Sequence, residues 1–127
     1  MRNLTKYRLD KARERLEVSN SMLNDGYYSD SVNRSYYSIF SAVRALLSED
    51  EVDFKKHSAV IAYFRKNYIK TEIFDKKFSI YIGDAFEIRT NCDYEDFFVA
   101  SREEAETQYL HAVEFYETIK NFLESAE

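Results

Sequence analysis

The stretch DSVNRSYYSIFSAVRALLS, residues 30–48, decides the fold class. Val32, Tyr36, Ile39, Phe40, Val43, Leu46 and Leu47 recur three and four positions apart, the spacing that lines up one face of an α-helix. Opposite that stripe lie Arg34, Tyr37, Ser41 and Arg44, with Ser38 and Ala45 beside them. A solvated helix face normally carries Glu and Lys, and this one carries neither. Its small residues permit close approach by a second helix, so the face is expected to form a dimer interface or one wall of a polar cleft. The plainer alternative is an ordinary polar surface.

Working outward, the same period recurs four more times. Toward the N-terminus it predicts a helix over about Thr5–Asn24, with Leu9, Ala12, Leu16, Ser19 and Leu23 on one stripe and Asp25-Gly26 as its stop. Toward the C-terminus it predicts helices over about Lys56–Asn67 and Glu72–Thr90. A loop is expected at Asn91–Ala100, followed by a capping box at Ser101-Arg102-Glu103-Glu104. That box opens a last helix with Ala105, Tyr109, Ala112, Tyr116, Ile119 and Leu123 inward. No segment alternates with period two. The expected fold is all-α: an antiparallel bundle of about five helices in one domain over residues 1–127.

Composition narrows the function. The formal net charge is −5, from 18 basic and 23 acidic residues. This argues against a broad nucleic-acid-coating surface, because phosphate neutralisation needs Lys and Arg, yet it leaves room for a small anion pocket. Tyrosines and phenylalanines are abundant, 11 and 10, enough to line a polar cleft as well as fill a core. The single cysteine, Cys92, and the charged N-terminal stretch lead us to expect a cytoplasmic protein. No apolar run is long enough to span a membrane. The histidines, His57 and His111, and Cys92 show no metal-ligand spacing, and no cofactor motif is present, so neither metal nor cofactor is expected.

Three polar positions interrupt the apolar pattern. His57 stands in the stripe that continues through Ile61, Phe64 and Tyr68. A core or capping role is its plain reading, but the first turn of a helix also favours anions and disfavours a protonated imidazole. Arg89 shares a wheel sector with Phe78, Ile82 and Ala85. Arginine is seldom buried unpartnered, and Asp93 and Tyr94 are expected to supply a carboxylate and a phenol. His111, at the edge of the last helix's apolar face, is read as surface.

Four pieces in order resemble the HEPN-domain family. Asn33-Arg34-Ser35-Tyr36-Tyr37-Ser38-Ile39-Phe40 is similar to Arg-x-Tyr-Tyr-x-x-Phe. Gly26 to Ser31 is similar to Gly-x-Tyr-x-x-Ala, with Ser31 in place of alanine. Lys56 to Phe64 is similar to Lys-x-His-x-x-Val-x-x-x-Phe. Arg89 to Tyr94 is similar to Arg-x-x-Ala-Asp-Tyr, followed by Ser101 to Ala105. The resemblance spans about Leu9 to Phe122. It implies a helical bundle, commonly a homodimer and often encoded beside a minimal nucleotidyltransferase. Many relatives are metal-independent ribonucleases or toxins that set Arg a few residues before His. Here Tyr94, Glu95 and Asp96 occupy the positions after Arg89 where that histidine would fall.

Together these readings give a polar site of Arg34, Tyr37, His57, Arg89, Asp93 and Tyr94. The leading expectation is a dimeric module that binds a nucleotide or RNA end, partnered with a nucleotidyltransferase in a toxin–antitoxin-like system. A ribonuclease toxin using Arg89 with Tyr94 or His57 is the enzymatic alternative, and a ligand-free helical scaffold is the third.

Overall fold

A computed structural model describes all residues, 1–127. Five helices follow in order: α1 (Asn3–Asn24), α2 (Tyr28–Glu49), α3 (His57–Phe64), α4 (Lys77–Tyr94) and α5 (Arg102–Ser125), with no strand. A π-helical turn, Arg65–Ile69, continues α3. The bundle is built around α2, which packs against α1, α4 and α5. Tyr36, Ile39, Val43, Leu46 and Leu47 of α2 are fully buried, together with Phe64, Ile82, Phe115 and Ile119 from the other helices.

α1 and α2 form a tight hairpin. Gly26, at φ +86°, takes the left-handed conformation that closes α1, and Tyr27 N–H donates back to the Met22 carbonyl. The small face of α2 meets α1 of the same chain. Of its two expected roles, dimer interface or wall of a polar cleft, the structure shows the second, with Tyr37, Ser41 and Arg44 lining a cleft against α1. Ser38 donates to the Ala12 carbonyl, and Ser19, Ser31 and Ser35 form a buried hydroxyl network across the seam. Short hydroxyls satisfy one another while letting the two backbones approach closely, which is why serine rather than leucine fills these positions.

The fourth helix also departs from its expected limits. It starts at Lys77, not Glu72, because Glu72 sits at φ +63° and the Asp75 carboxylate accepts from Lys77 N–H, marking the true first turn. It ends at Tyr94, so Asn91–Tyr94, expected in a loop, is helical and the whole Arg89–Tyr94 motif lies on α4. Thr90 bonds back to the Phe86 carbonyl, and Arg89 pairs with Asp93 one turn on. The expected capping box of α5 is present in both halves: Ser101 accepts from Glu104 N–H at 3.0 Å, and Glu104 accepts from Ser101 N–H at 2.9 Å.

Candidate functional site

Arg89 is only 8% exposed, and its location follows from α4 crossing the middle of α2. Its guanidinium lies over the Tyr36 ring at 4.9 Å and near the Tyr37 ring at 5.4 Å. Its one carboxylate contact is Asp93, at 3.3 Å, and its Nε is buried without a partner. Three aromatic rings, the third being Phe86 at 5.7 Å, and one partly exposed carboxylate hold a permanent cation that retains unused donor capacity.

Tyr36 carries the cluster on to α3. Its phenol shares a 2.8 Å hydrogen bond with His57 Nδ1, and the His57 ring stacks on Phe40 at 4.1 Å. Burial pushes the Tyr36 phenol up to about 12 although the Arg89 guanidinium beside it pulls the other way, so Tyr36 keeps its proton. With its lone pairs facing a cation, the phenol is best placed to donate to Nδ1, which leaves the imidazole proton on Nε2. Burial, then the charges of Arg89 and Arg44, hold His57 below the ordinary histidine value of 6.5. This arrangement favours a neutral ring, with Nδ1 accepting from the phenol.

His57 and Tyr37 also border a cleft of about 410 Å³ between α1, α2 and the start of α3. Arg8, Lys11, Arg15 and Arg44 line it, with Tyr7 and Phe40 on its walls. Asp53 is the carboxylate that meets these arginines, accepting from Arg8 at 3.3 Å and from Arg44 at 3.2 Å. Burial works to raise the Asp53 carboxyl, but Arg44 and Arg8 outweigh it and hold it below its usual range. Arg15 donates to the Ser41 hydroxyl, a neutral partner, and Arg44 Nε is buried without one.

Of the six residues singled out from the sequence, the fold gathers four: Tyr37, His57, Arg89 and Asp93. Arg34 is exposed and borders a shallow pocket that adjoins the cleft, sharing Lys11 and Arg15 with it and adding Glu14 and Val18. Tyr94 is 73% exposed and makes no hydrogen bond to Arg89; the phenol beside Arg89 comes from Tyr36 instead. In the sequence nothing sets Tyr36 apart, because it sits in the apolar stripe of α2, where a buried tyrosine reads as core. Arg8, Lys11 and Arg15 look in sequence like part of any charged helix face, although their spacing of three and four sets them on one side, toward Tyr37, Ser41 and Arg44. His111 is not plain surface: it stacks on Tyr81 at 3.8 Å with its Nδ1 buried and unpartnered.

Comparison with known proteins fits this architecture. The HEPN domain family model matches residues 5–122. Methanocaldococcus jannaschii MJ0142, provisionally named a toxin, is 40% identical over 98 residues, covering 77% of this chain and 67% of that one. A UPF0332 protein of Thermotoga maritima is 31% identical over 114 residues, covering 90% and 86%. The crystal structure of ST0689, described as an archaeal HEPN homologue, superposes with a TM-score of 0.64 over 95% of this chain and 98% of that one, at 15% identity, a likeness of fold.

Proposed function

The chain belongs to the HEPN-domain family, and from that premise we propose that it is a dimeric module that binds a nucleotide or an RNA end, working beside a minimal nucleotidyltransferase in a toxin–antitoxin-like pair. The observation that carries this reading is the buried Arg89, which keeps unused donors and stands beside the Tyr36–His57 pair. A guanidinium in such a setting holds phosphate by paired, charge-assisted hydrogen bonds that require no proton transfer. The toxin designation of two relatives, MJ0142 and MJ0605, supports the toxin–antitoxin context. Dimerisation draws support from the exposed apolar side chains that follow Arg89, namely Tyr94, Phe97 and Val99.

The test is a titration of the purified chain with a short single-stranded RNA. Arg89→Ala is expected to abolish binding and Tyr94→Phe to leave most of it. Equal binding by the parent and Arg89→Ala would overturn the reading. Co-expression with a nucleotidyltransferase encoded in the neighbouring reading frame is expected to give a co-eluting complex.

A metal-independent ribonuclease is the second reading, and the Tyr36–His57 hydrogen bond favours His57 over Tyr94 as its proton-transfer group. General acid–base catalysis contributes about 10²–10⁴-fold, so a working His57 would show as a loss of that size in His57→Gln. A cleavage time course on single-stranded RNA decides: no cleavage by the parent leaves the binding reading, and cleavage lost in both Arg89→Ala and His57→Gln establishes the enzyme.

A further inference from the structure

We propose that the cleft between α1 and α2 is a phosphate subsite that receives the 5′-phosphate group of a nucleotide or of an RNA end. It rests on the nucleotide reading above and adds the group by which that ligand is recognised.

Charge is the first support. Arg8, Lys11, Arg15 and Arg44 converge on one cavity in a chain whose net charge is −5. Asp53 answers two of them, Arg8 and Arg44. Lys11 reaches only Glu14, on its own helix and at 3.6 Å, and Arg15 reaches only a hydroxyl. Gathering like charges raises the energy of the empty cleft, a cost that an entering anion offsets.

Donor supply is the second. Arg44 Nε is buried without a partner, and His57, whose Nδ1 is engaged by the Tyr36 phenol, lines the same cleft, so polar groups with unspent hydrogen-bonding capacity accompany the charge. A plain solvated face does not bury a guanidinium to 9% exposure, as Arg8 is buried here, with its donors spent on the Arg44 carbonyl and Ser48 of α2.

Size and walls set the ligand class. A volume of about 410 Å³ lies in the range of small-molecule sites, roughly 300–1,000 Å³, and suits one nucleotide rather than a length of strand. Tyr7, Tyr37 and Phe40 provide aromatic surface on which a base stacks. Tyr37 and His57 border both the cleft and the Arg89 cluster, which makes the two neighbours.

The experiment is calorimetric titration of the full chain with three probes: inorganic pyrophosphate, ADP, and a tetranucleotide RNA with a 5′-phosphate or a 5′-hydroxyl. The chain variants are Lys11→Gln with Arg15→Gln, Arg89→Ala, and, as a control on the separate basic groove beside α3, Lys66→Gln with Lys70→Gln. The parent is expected to prefer the 5′-phosphate RNA by about tenfold or more, the size of effect that charge-assisted bonds to a phosphate give. The Lys11/Arg15 pair is expected to erase that preference with helix content unchanged, and the Lys66/Lys70 control to retain it. Tighter binding of ADP than of RNA would assign a free nucleotide, and the reverse an RNA end. An unchanged 5′-phosphate preference in the Lys11/Arg15 pair, with binding lost in Arg89→Ala, would overturn the subsite and leave the nucleotide reading standing. Failure of all three probes to bind would overturn both.

Discussion

At the scale of single residues, His57 ties the two halves of the site together, and its protonation has a measurable consequence. Burial and the charges of Arg89 and Arg44 depress its pKa in the folded chain, and burial depresses that of His111. The unfolded chain therefore binds more protons than the folded one below about 6.5, and stability falls as pH falls from there through the folded values. Above that window both forms are neutral and the contribution is fully present. Urea unfolding between pH 7.5 and 5 is expected to show this loss, with a shallower slope in His57→Gln. A bound phosphate reverses the balance by favouring the imidazolium, so nucleotide affinity is expected to rise as pH drops below 6.5 in the parent and not in His57→Gln. Affinity that is flat with pH would detach His57 from the ligand. Tyr36→Phe isolates the phenol: the ring under Arg89 remains, one buried hydrogen bond goes, and stability is expected to drop by about 1 kcal/mol.

Among the elements, the seam between α1 and α2 matters most because it also forms the walls of the cationic cleft. Ala12, Ser35 and Ser38 are fully buried there, so the inter-helix distance is set by small side chains and by Ser38 donating to the Ala12 carbonyl. Ala12→Leu forces the helices apart, and overpacking of this kind costs about 1–3 kcal/mol. A lower urea midpoint with unchanged oligomeric state is the expected result, since the seam is intrachain. A change of oligomeric state without loss of stability would restore the dimer-face interpretation of this surface. α4 presents a different case. Its start depends on Asp75 accepting from Lys77 N–H, and Asp75→Ala is expected to cost about 0.5–2 kcal/mol by loss of that bond, read as a lower thermal midpoint.

For the whole molecule, the proposed dimer needs a face free to pair with another chain. With the small face of α2 occupied by α1, the three most exposed large apolar residues lie near the end of α4 and in the loop after it: Tyr94 at 73%, Val99 at 78% and Phe97 fully exposed at φ +64°. A phenylalanine turned outward in a left-handed conformation carries a strain that an interface repays. Light scattering is expected to report a dimer of the 15.1 kDa chain at micromolar concentration. Phe97→Asp is expected to convert it to a monomer without lowering helix content. Dimers that survive this substitution would place the interface elsewhere.

Helical period, the Gly26 stop and the Ser101–Glu104 capping box are local properties, set by spacing and backbone hydrogen bonding within a turn or two. For that reason α1, α2 and the beginning of α5 were legible in the sequence, and with them the all-α fold. The start of α4 was not, because the choice between Glu72 and Lys77 depends on Phe74 and Asp75 settling after the π-helical turn, with Phe74 N–H donating to the Tyr68 carbonyl. The site was half legible. Arg89, His57 and Tyr37 each broke a local pattern and so announced themselves. Tyr36 fitted its stripe, and Arg8, Lys11 and Arg15 resembled any solvated helix face. Only the crossing of α4 over α2 makes Tyr36 the partner of Arg89, and only the close α1–α2 seam turns scattered cations into one cleft, because electrostatic convergence depends on distance in space rather than along the chain.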